Sequence, residues 1–287
     1  MRSIENQRKI ILSEEKTPLI IEAGRTERRY FRDVFRYREL FFFLAWRDIL
    51  VRYKQTAIGI LWALIRPLLT MIVFTFIFGK LAHLPSDGLP YPLLVFTAML
   101  PWQLFASSLS ESSNSLIGNA NMISKVYFPR LIVPSSAIVV SFVDFLISFS
   151  ILAGLMLWYH HMPGWRILTL PLFIVIACAA SLGAGLWLSA LNVRYRDFKY
   201  VVPFIVQLGL YISPVGFSSS VVPVKLRLLY SINPMVGVID GFRWAVLNGK
   251  TFLYKPGFCI SLAIVLLLCV SGTWYFRKTE KTFADVI

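Results

Sequence analysis

Formal charge is what this chain has least of. Between Leu131 and Val193 only Asp144 and Arg166 carry any. Charged residues make up 15% of the whole, against about 25% in soluble domains. Cysteine is also scarce: Cys178, Cys259 and Cys269 fall in apolar stretches without disulfide or zinc spacing, which leaves them as small packing residues. The polar start of the chain lacks the apolar core of a cleavable signal. A nucleotide-binding loop is missing too. Gly249-Lys250-Thr251 ends like G-x-x-x-x-G-K-[ST], but the required first glycine falls on Trp244. His83, His160 and His161 have no metal-ligand partner at a usual spacing. Paired carboxylates and Ser/His/Asp sets are absent from the apolar stretches. Catalysis within a membrane needs such acids, bases or metal ligands, so the sequence argues against a membrane enzyme and against any cofactor held by this chain.

What is present is apolar length. Hydrophobic residues reach 57% and aromatics 15%. Crossing about 30 Å of hydrocarbon takes roughly 20 residues in a helix, and segments near 58–81, 92–110, 132–158, 168–191, 200–217 and 258–276 meet or approach that. The expected fold is an all-α membrane protein with six transmembrane helices per protomer. It comprises an irregular cytoplasmic tail over 1–28, an amphipathic interfacial helix over 29–56 and a transmembrane domain over 57–287. The net charge of +14 then reads as topology. Thirteen of the 29 Lys and Arg precede Ala57, and the loop assignment puts 21 on one side and 7 on the other, with Arg66 inside a span. Excess Lys and Arg mark the cytoplasmic side. Both termini are therefore expected in the cytoplasm, and no nucleic-acid partner is implied.

Several segments carry more specific signals. In 29–56, Phe31, Val34, Phe35, Leu40, Phe42, Phe43, Trp46, Ile49, Leu50 and Tyr53 alternate with Arg and Lys at spacings of three and four. Such a helix lies in the interface and meets anionic lipid with its basic face; packing on other protein is a compatible alternative. Arg66 in the first span either snorkels to the near surface or faces a polar cavity, and Pro67 marks a kink. The second span runs into the polar stretch Ser107–Asn121 and the loop MISKVYFPR, 122–130. Val126, Tyr127 and Phe128, exposed between Lys125 and Arg130, suit a docking knob or an ordinary loop with aromatic belt residues. Asp144 in the third span is expected to pair with Arg66 or to bond Ser141 or Ser148. Ala180, Gly183, Ala184 and Gly185 permit close helix approach in the fourth. The segment 219–257 is too polar to span and too apolar for a free loop, and Asn233-Pro234 breaks it. Two short re-entrant helices fit, since broken backbone at membrane depth must be buried in protein or line a cavity. Most aromatics meet lipid. Trp62, Phe74, Phe78, Trp102, Phe105, Phe204 and Tyr211 are best placed to line a path for sugars, whose C–H faces stack on aromatic rings.

The order of these parts resembles a known family. The segments RYKQTAIGILWALIRPLLTMIVFTFIFGKL, PWQLFASSLSESSNSLIGNANMISKVYFPR, LNVRYRDFKYVVPFIVQ, ISPVGFSSSVVP and LLYSINPMVGVIDGFRWAVLNG are similar to the membrane subunits of ATP-binding-cassette polysaccharide exporters. These are the O-antigen, capsular polysaccharide and teichoic acid permeases of the type-2 exporter class. The likeness covers about residues 30–277.

It implies two copies forming a channel in the cell inner membrane, each bound to a separate ATPase subunit that holds ATP and Mg. A coupling loop over 119–130 would seat in that ATPase through Asn121, Met122, Ile123, Ser124, Lys125, Val126, Tyr127, Phe128 and Arg130. Trp62, Arg66, Phe74, Phe78, Trp102, Phe105, Phe204 and Tyr211 would line the substrate pathway. Asn233, Pro234 and Arg243, within 219–257, would form an outer re-entrant gate. The implied cargo is a lipid-linked polysaccharide, O-antigen foremost, with capsule or teichoic acid as alternatives. Arg66 departs from the pattern, standing where a neutral polar residue such as Gln is expected. The rival readings are an exporter of a drug or small lipid, a membrane glycosyl- or polyprenyl-transfer enzyme relying on Asp144 or Asp240, and a passive channel.

Overall fold

The computed structural model of the chain describes residues 30–54, 59–195, 197–249, 251 and 253–283. The expected irregular tail 1–28 lies outside the described residues, as do Arg196 and Lys250 of the charge assignment. The chain divides into two units, residues 1–36 and residues 37–287. In the first, the described part is helix α1, Tyr30–Arg36. All remaining description concerns the second.

Regular structure there is helical, with no strand among the described residues. In chain order it comprises α2 (Arg38–Lys54), α3 (Gly59–Phe74) continuing as a π-helix over Thr75–Leu81, α4 (Tyr91–Gly118) and the single turn α5 (Ala120–Ile123). These are followed by α6 (Ile132–Trp158), α7 (Leu170–Arg194), α8 (Phe198–Ile212), α9 (Arg227–Tyr230), α10 (Pro234–Val246) and α11 (Lys255–Glu280). Among the described residues, five helices are long and apolar enough to cross a membrane: Leu61–Leu81, Tyr91–Gly118, Ile132–Trp158, Trp165–Arg194 and Lys255–Glu280. This is an all-α, multi-pass membrane protein. The expected span at 200–217 is the shorter α8, whose 15 residues reach about 22 Å. It stops because Ser213, directly before Pro214, is held extended (φ −77°, ψ 153°), the conformation a following proline favours.

The bundle is organised around α4, which packs against α6, α7 and α10. Every residue from Leu93 to Leu100 is nearly inaccessible. Hydrophobicity does not drive one apolar helix onto another in lipid; close packing and hydrogen bonds do. The structure uses both. A Cβ added at Gly185 would meet Ser112 Cβ at 2.8 Å, and one at Gly183 would meet backbone atoms of Leu268 and Cys269 at 2.7 Å. The small residues of α7 thus let it approach α4 and α11 closely. Asn192 on α7 donates from Nδ2 to the Ser113 carbonyl and to Asn114 Oδ1, both at 3.1 Å. Pro67 sits within α3 and cannot donate to the Ala63 carbonyl four residues earlier. Ser148 Oγ, on α6, lies 3.5 Å from that carbonyl.

The segment following α8 forms a compact cap at one end of the bundle. It includes short 3-10 turns, then α9, then α10, with the break at Asn233 as the sequence expects. Asn233 caps α10 by accepting from the Met235 N–H at 3.0 Å, and Pro234 occupies the first turn, where its missing N–H costs nothing. Ser261 on α11 donates to the Ser231 carbonyl at 3.0 Å, which fastens the cap to the last span.

Candidate coupling loop, aromatic path and outer cap

The loop 119–130 lies at the end of the bundle opposite the cap. It begins at Asn119, where α4 stops, makes the single turn α5 and reaches α6 through Pro129. Asn121, Ser124, Lys125, Val126 and Tyr127 are exposed, with Val126 and Tyr127 each 56% accessible. Ile123 and Phe128 are not: Phe128 is only 4% exposed. The expectation that all three of Val126, Tyr127 and Phe128 project outward is therefore corrected. The tip presents Lys125, Val126 and Tyr127, while Phe128, with Pro129 and Ile123, anchors the loop inward.

Both ends of this loop are tied to other elements. Arg47 on α2 donates from Nη2 to Asn119 Oδ1 at 2.8 Å. At the other end, the Arg130 N–H donates to Glu280 Oε1 at 2.8 Å, and the Arg130 guanidinium donates to the Glu280 carbonyl at the end of α11. Its charge also stands 5.9 Å from the Phe283 ring.

Helix α2 exposes Phe42, Phe43, Trp46 and Leu50 while burying Leu44 and Ala45. Its far end holds the acid of the third span. Arg52 pairs with Asp144 at 3.0 Å and with Glu111 at 3.2 Å, and the Tyr53 hydroxyl donates to Asp144 Oδ1. Burial first, then the adjacent Asp144 carboxylate, pushes the Tyr53 hydroxyl above its ordinary pKa, so it remains a donor. Asp144 is thus partnered by Arg52 and Tyr53. Arg66 lies elsewhere, exposed, with its guanidinium 5.8 Å from the Trp62 ring.

The expected pathway aromatics fall into separate groups. Phe74 meets Phe78 edge-on at 5.4 Å and Tyr211 at 6.4 Å. Trp102 and Phe105 stand 5.6 Å apart, and the Trp102 ring lies against Gly209 of α8, where an added Cβ would meet it at 2.6 Å. Phe204 and Tyr211 are exposed on α8, in line with Tyr200 and Leu208. Trp62 is exposed on α3. The structure therefore brings Phe74, Phe78 and Tyr211 together, sets Trp102 and Phe105 behind α8, and leaves Trp62 and Phe204 on open helix faces.

At the cap, Arg243 is 1% exposed. It donates to the carbonyls of Leu94 (3.1 Å), Phe217 (2.8 Å) and Val215 (3.0 Å). The irregular stretch after α8 has no helical donors for its carbonyls, and one planar guanidinium supplies them. Tyr91 adds a bond to the Gly216 carbonyl at 2.7 Å, and Asp87 accepts from Ser218 at 2.6 Å and Ser220 at 3.3 Å. Ser219 donates to the buried Asp240 at 2.8 Å. Sequence reading set Arg243 in an outer gate without seeing this role. Arg47, Asn119 and Glu280 it did not single out as a connected set, because their partners are remote in sequence.

Residues 39–247 match the sequence profile of the ABC-2 type transporter. Among curated relatives, the O-antigen export system permease protein RfbA of Klebsiella pneumoniae is 29% identical over 251 residues, 84% of this chain and 92% of its own length. The protein of the same name from Myxococcus xanthus is 25% identical over 262 residues, 90% of this chain and 99% of its own. The polysialic acid transport protein KpsM of Escherichia coli is 24% identical over 212 residues, 71% of this chain and 79% of its own. The profile begins in α2 and ends at the close of α10, so it takes in the loop, the aromatic helices and the cap together. This chain belongs to the ABC-2 type transporter membrane family.

Proposed function

We propose that this chain is the permease subunit of an exporter that moves a lipid-linked polysaccharide, O-antigen foremost, outward across the cell inner membrane, driven by ATP hydrolysis on a separate subunit. The observation that carries the reading is the extent of its likeness to relatives named for O-antigen export, which runs over nearly the whole of both chains. Two copies of the chain enclose the path and two ATPase subunits bind ATP and Mg beneath them. Both termini face the cytoplasm, which puts loop 119–130 and the end of α11 on the ATPase side and the cap on the outer side. Short α8 completes its crossing through the irregular segment after Ser213, and α9 and α10 re-enter from outside to narrow the mouth.

In this reading Lys125, Val126 and Tyr127 enter a groove of the ATPase. Closure of the ATPase pair moves the loop and opens the conduit. The exposed rings of Trp62, Phe204 and Tyr211 stack on sugar faces as they pass, a weak and sequence-tolerant interaction suited to a repeating glycan. The test is affinity purification of the tagged chain from its native membranes with ATPase activity measured in the eluate. An ATPase is expected to co-purify, and Val126→Asp with Tyr127→Ala is expected to remove it. Folded chain that brings down no ATPase would overturn the reading. Retention by the double variant would leave the transporter reading standing and discard this docking surface.

A further inference from the structure

Loop 119–130 is fastened at both ends, and to different elements. Arg47 on α2 grips Asn119, and α2 is itself fixed to α6 where Arg52 and Tyr53 meet Asp144. Arg130 is gripped by Glu280 at the end of α11, through both its backbone N–H and its guanidinium. A loop with free ends would absorb a push at its tip by bending. One pinned at both ends passes the push to whatever holds the pins. The exposed tip at Val126 and Tyr127 stands between the two ties. The ties also differ in chemistry, one between two side chains and the other engaging backbone at both residues.

We propose that Arg47–Asn119 and Arg130–Glu280 are the positioning pairs that carry displacement of the loop into α2 and α11, so that export depends on them while ATPase docking does not. The proposal rests on the reading of 119–130 as the ATPase-docking loop. Each tie has a conservative variant that keeps its bond. Arg47 shares Nη2 between Asn119 and the adjacent Asp48, which lies 2.7 Å away, so Arg47→Lys retains a donor, Arg47→Met removes it together with the Asp48 pair, and Asn119→Ala removes the tie alone. The Glu280 side chain accepts the Arg130 N–H through Oε1, so Glu280→Gln retains that bond and Glu280→Ala removes it, leaving only the guanidinium bond to the Glu280 carbonyl.

The experiment replaces the chromosomal copy with each variant and measures three things: the cell's own surface polysaccharide by carbohydrate staining of extracted glycolipid after outer-surface biotinylation, the chain in the membrane, and the ATPase co-purifying with it. At equal chain levels, Arg47→Met and Glu280→Ala are expected to lower surface polysaccharide by about tenfold or more, the scale of one lost charge-assisted hydrogen bond. ATPase co-purification should stay within about twofold, and Arg47→Lys and Glu280→Gln should export within about twofold of the unaltered chain. Should Arg47→Met fail to accumulate, Asn119→Ala tests the same tie from its other side. Normal export by Arg47→Met and Glu280→Ala would overturn the proposal, as would equal failure of the conservative pair. Loss of ATPase from Arg47→Met and Glu280→Ala would make the ties part of docking and also overturn it. If the unaltered chain neither binds an ATPase nor restores surface polysaccharide to a deletion strain, the transporter reading itself has failed.

Discussion

Helices α4 and α3 are both apolar and both long enough, the latter with its π-helical extension, to cross a membrane, yet they live in different surroundings. The most apolar stretch of Tyr91–Gly118 is 78% buried within the protein, whereas that of Leu61–Leu81 is 17% buried. The more buried helix is the less apolar of the two, because α4 carries Ser108, Ser112, Ser113 and Ser115 into the interior. In water the ranking would run the other way. In lipid, an apolar side chain gains little by leaving hydrocarbon for protein, while a small polar one permits close approach between helices. Polar content, not apolar content, therefore marks the helix at the centre of this bundle.

This contrast can be broken in several ways, and the severest lies at the closest contacts around α4. Gly183→Leu on α7 would drive a side chain into the backbone of Leu268 and Cys269. It is expected to cost more than about 4 kcal/mol, read as loss of the monodisperse species after detergent extraction. Next comes Arg243→Leu, which strands the carbonyls of Leu94, Val215 and Phe217 in the interior. A cost of about 3–5 kcal/mol is expected, with Arg243→Lys recovering only part, since an ammonium cannot face all three at once; thermal unfolding in nanodiscs measures both. The comparison itself is sharpened by matched truncations. Leu94→Ala on α4 should cost about 2–4 kcal/mol through the cavity it leaves. Leu69→Ala on the open face of α3 should change stability by less than about 1 kcal/mol. Equal effects would mean that α3 is as enclosed as α4 in the membrane. Smallest of all, Ser112→Ala is expected to lie within about 0.5 kcal/mol, because the buried Ser112 Oγ has no hydrogen-bond partner among the described residues.

Five of the six expected spans were legible because charge scarcity and apolar length are properties of contiguous sequence. So was the break at Asn233-Pro234, a capping residue followed by proline, and the small residues of α7 that allow close packing. Less was legible of the site. In an irregular loop no periodicity separates Tyr127 from Phe128, so only the three-dimensional path shows one facing out and the other in. Asp144 was recognised as needing a partner, but the partner comes from Arg52 and Tyr53, residues of a helix outside the spans that folds back on α6. Arg243 was placed in an outer gate, but its carbonyl partners at Leu94, Val215 and Phe217 are remote in sequence or lie in an irregular stretch. A signal was available: Ser213–Phe217 runs through Pro and Gly without a helical pattern, and irregular backbone buried in a membrane protein must find donors.

The contact of α7 with α11 has a mechanical consequence. Backbone meets backbone at Gly183, Leu268 and Cys269 without intervening side chains, so α11 cannot roll or slide there independently of its neighbour. It is a rod held along its length by that neighbour, which meets it again where Trp187 stacks on Tyr275 at 4.1 Å. From Lys255 to Glu280 that rod is about 39 Å long. One end is gripped by Arg130, and near the other Ser261 holds the Ser231 carbonyl below α10. A rod so mounted joins the loop at one end of the bundle to the cap at the other through a single element.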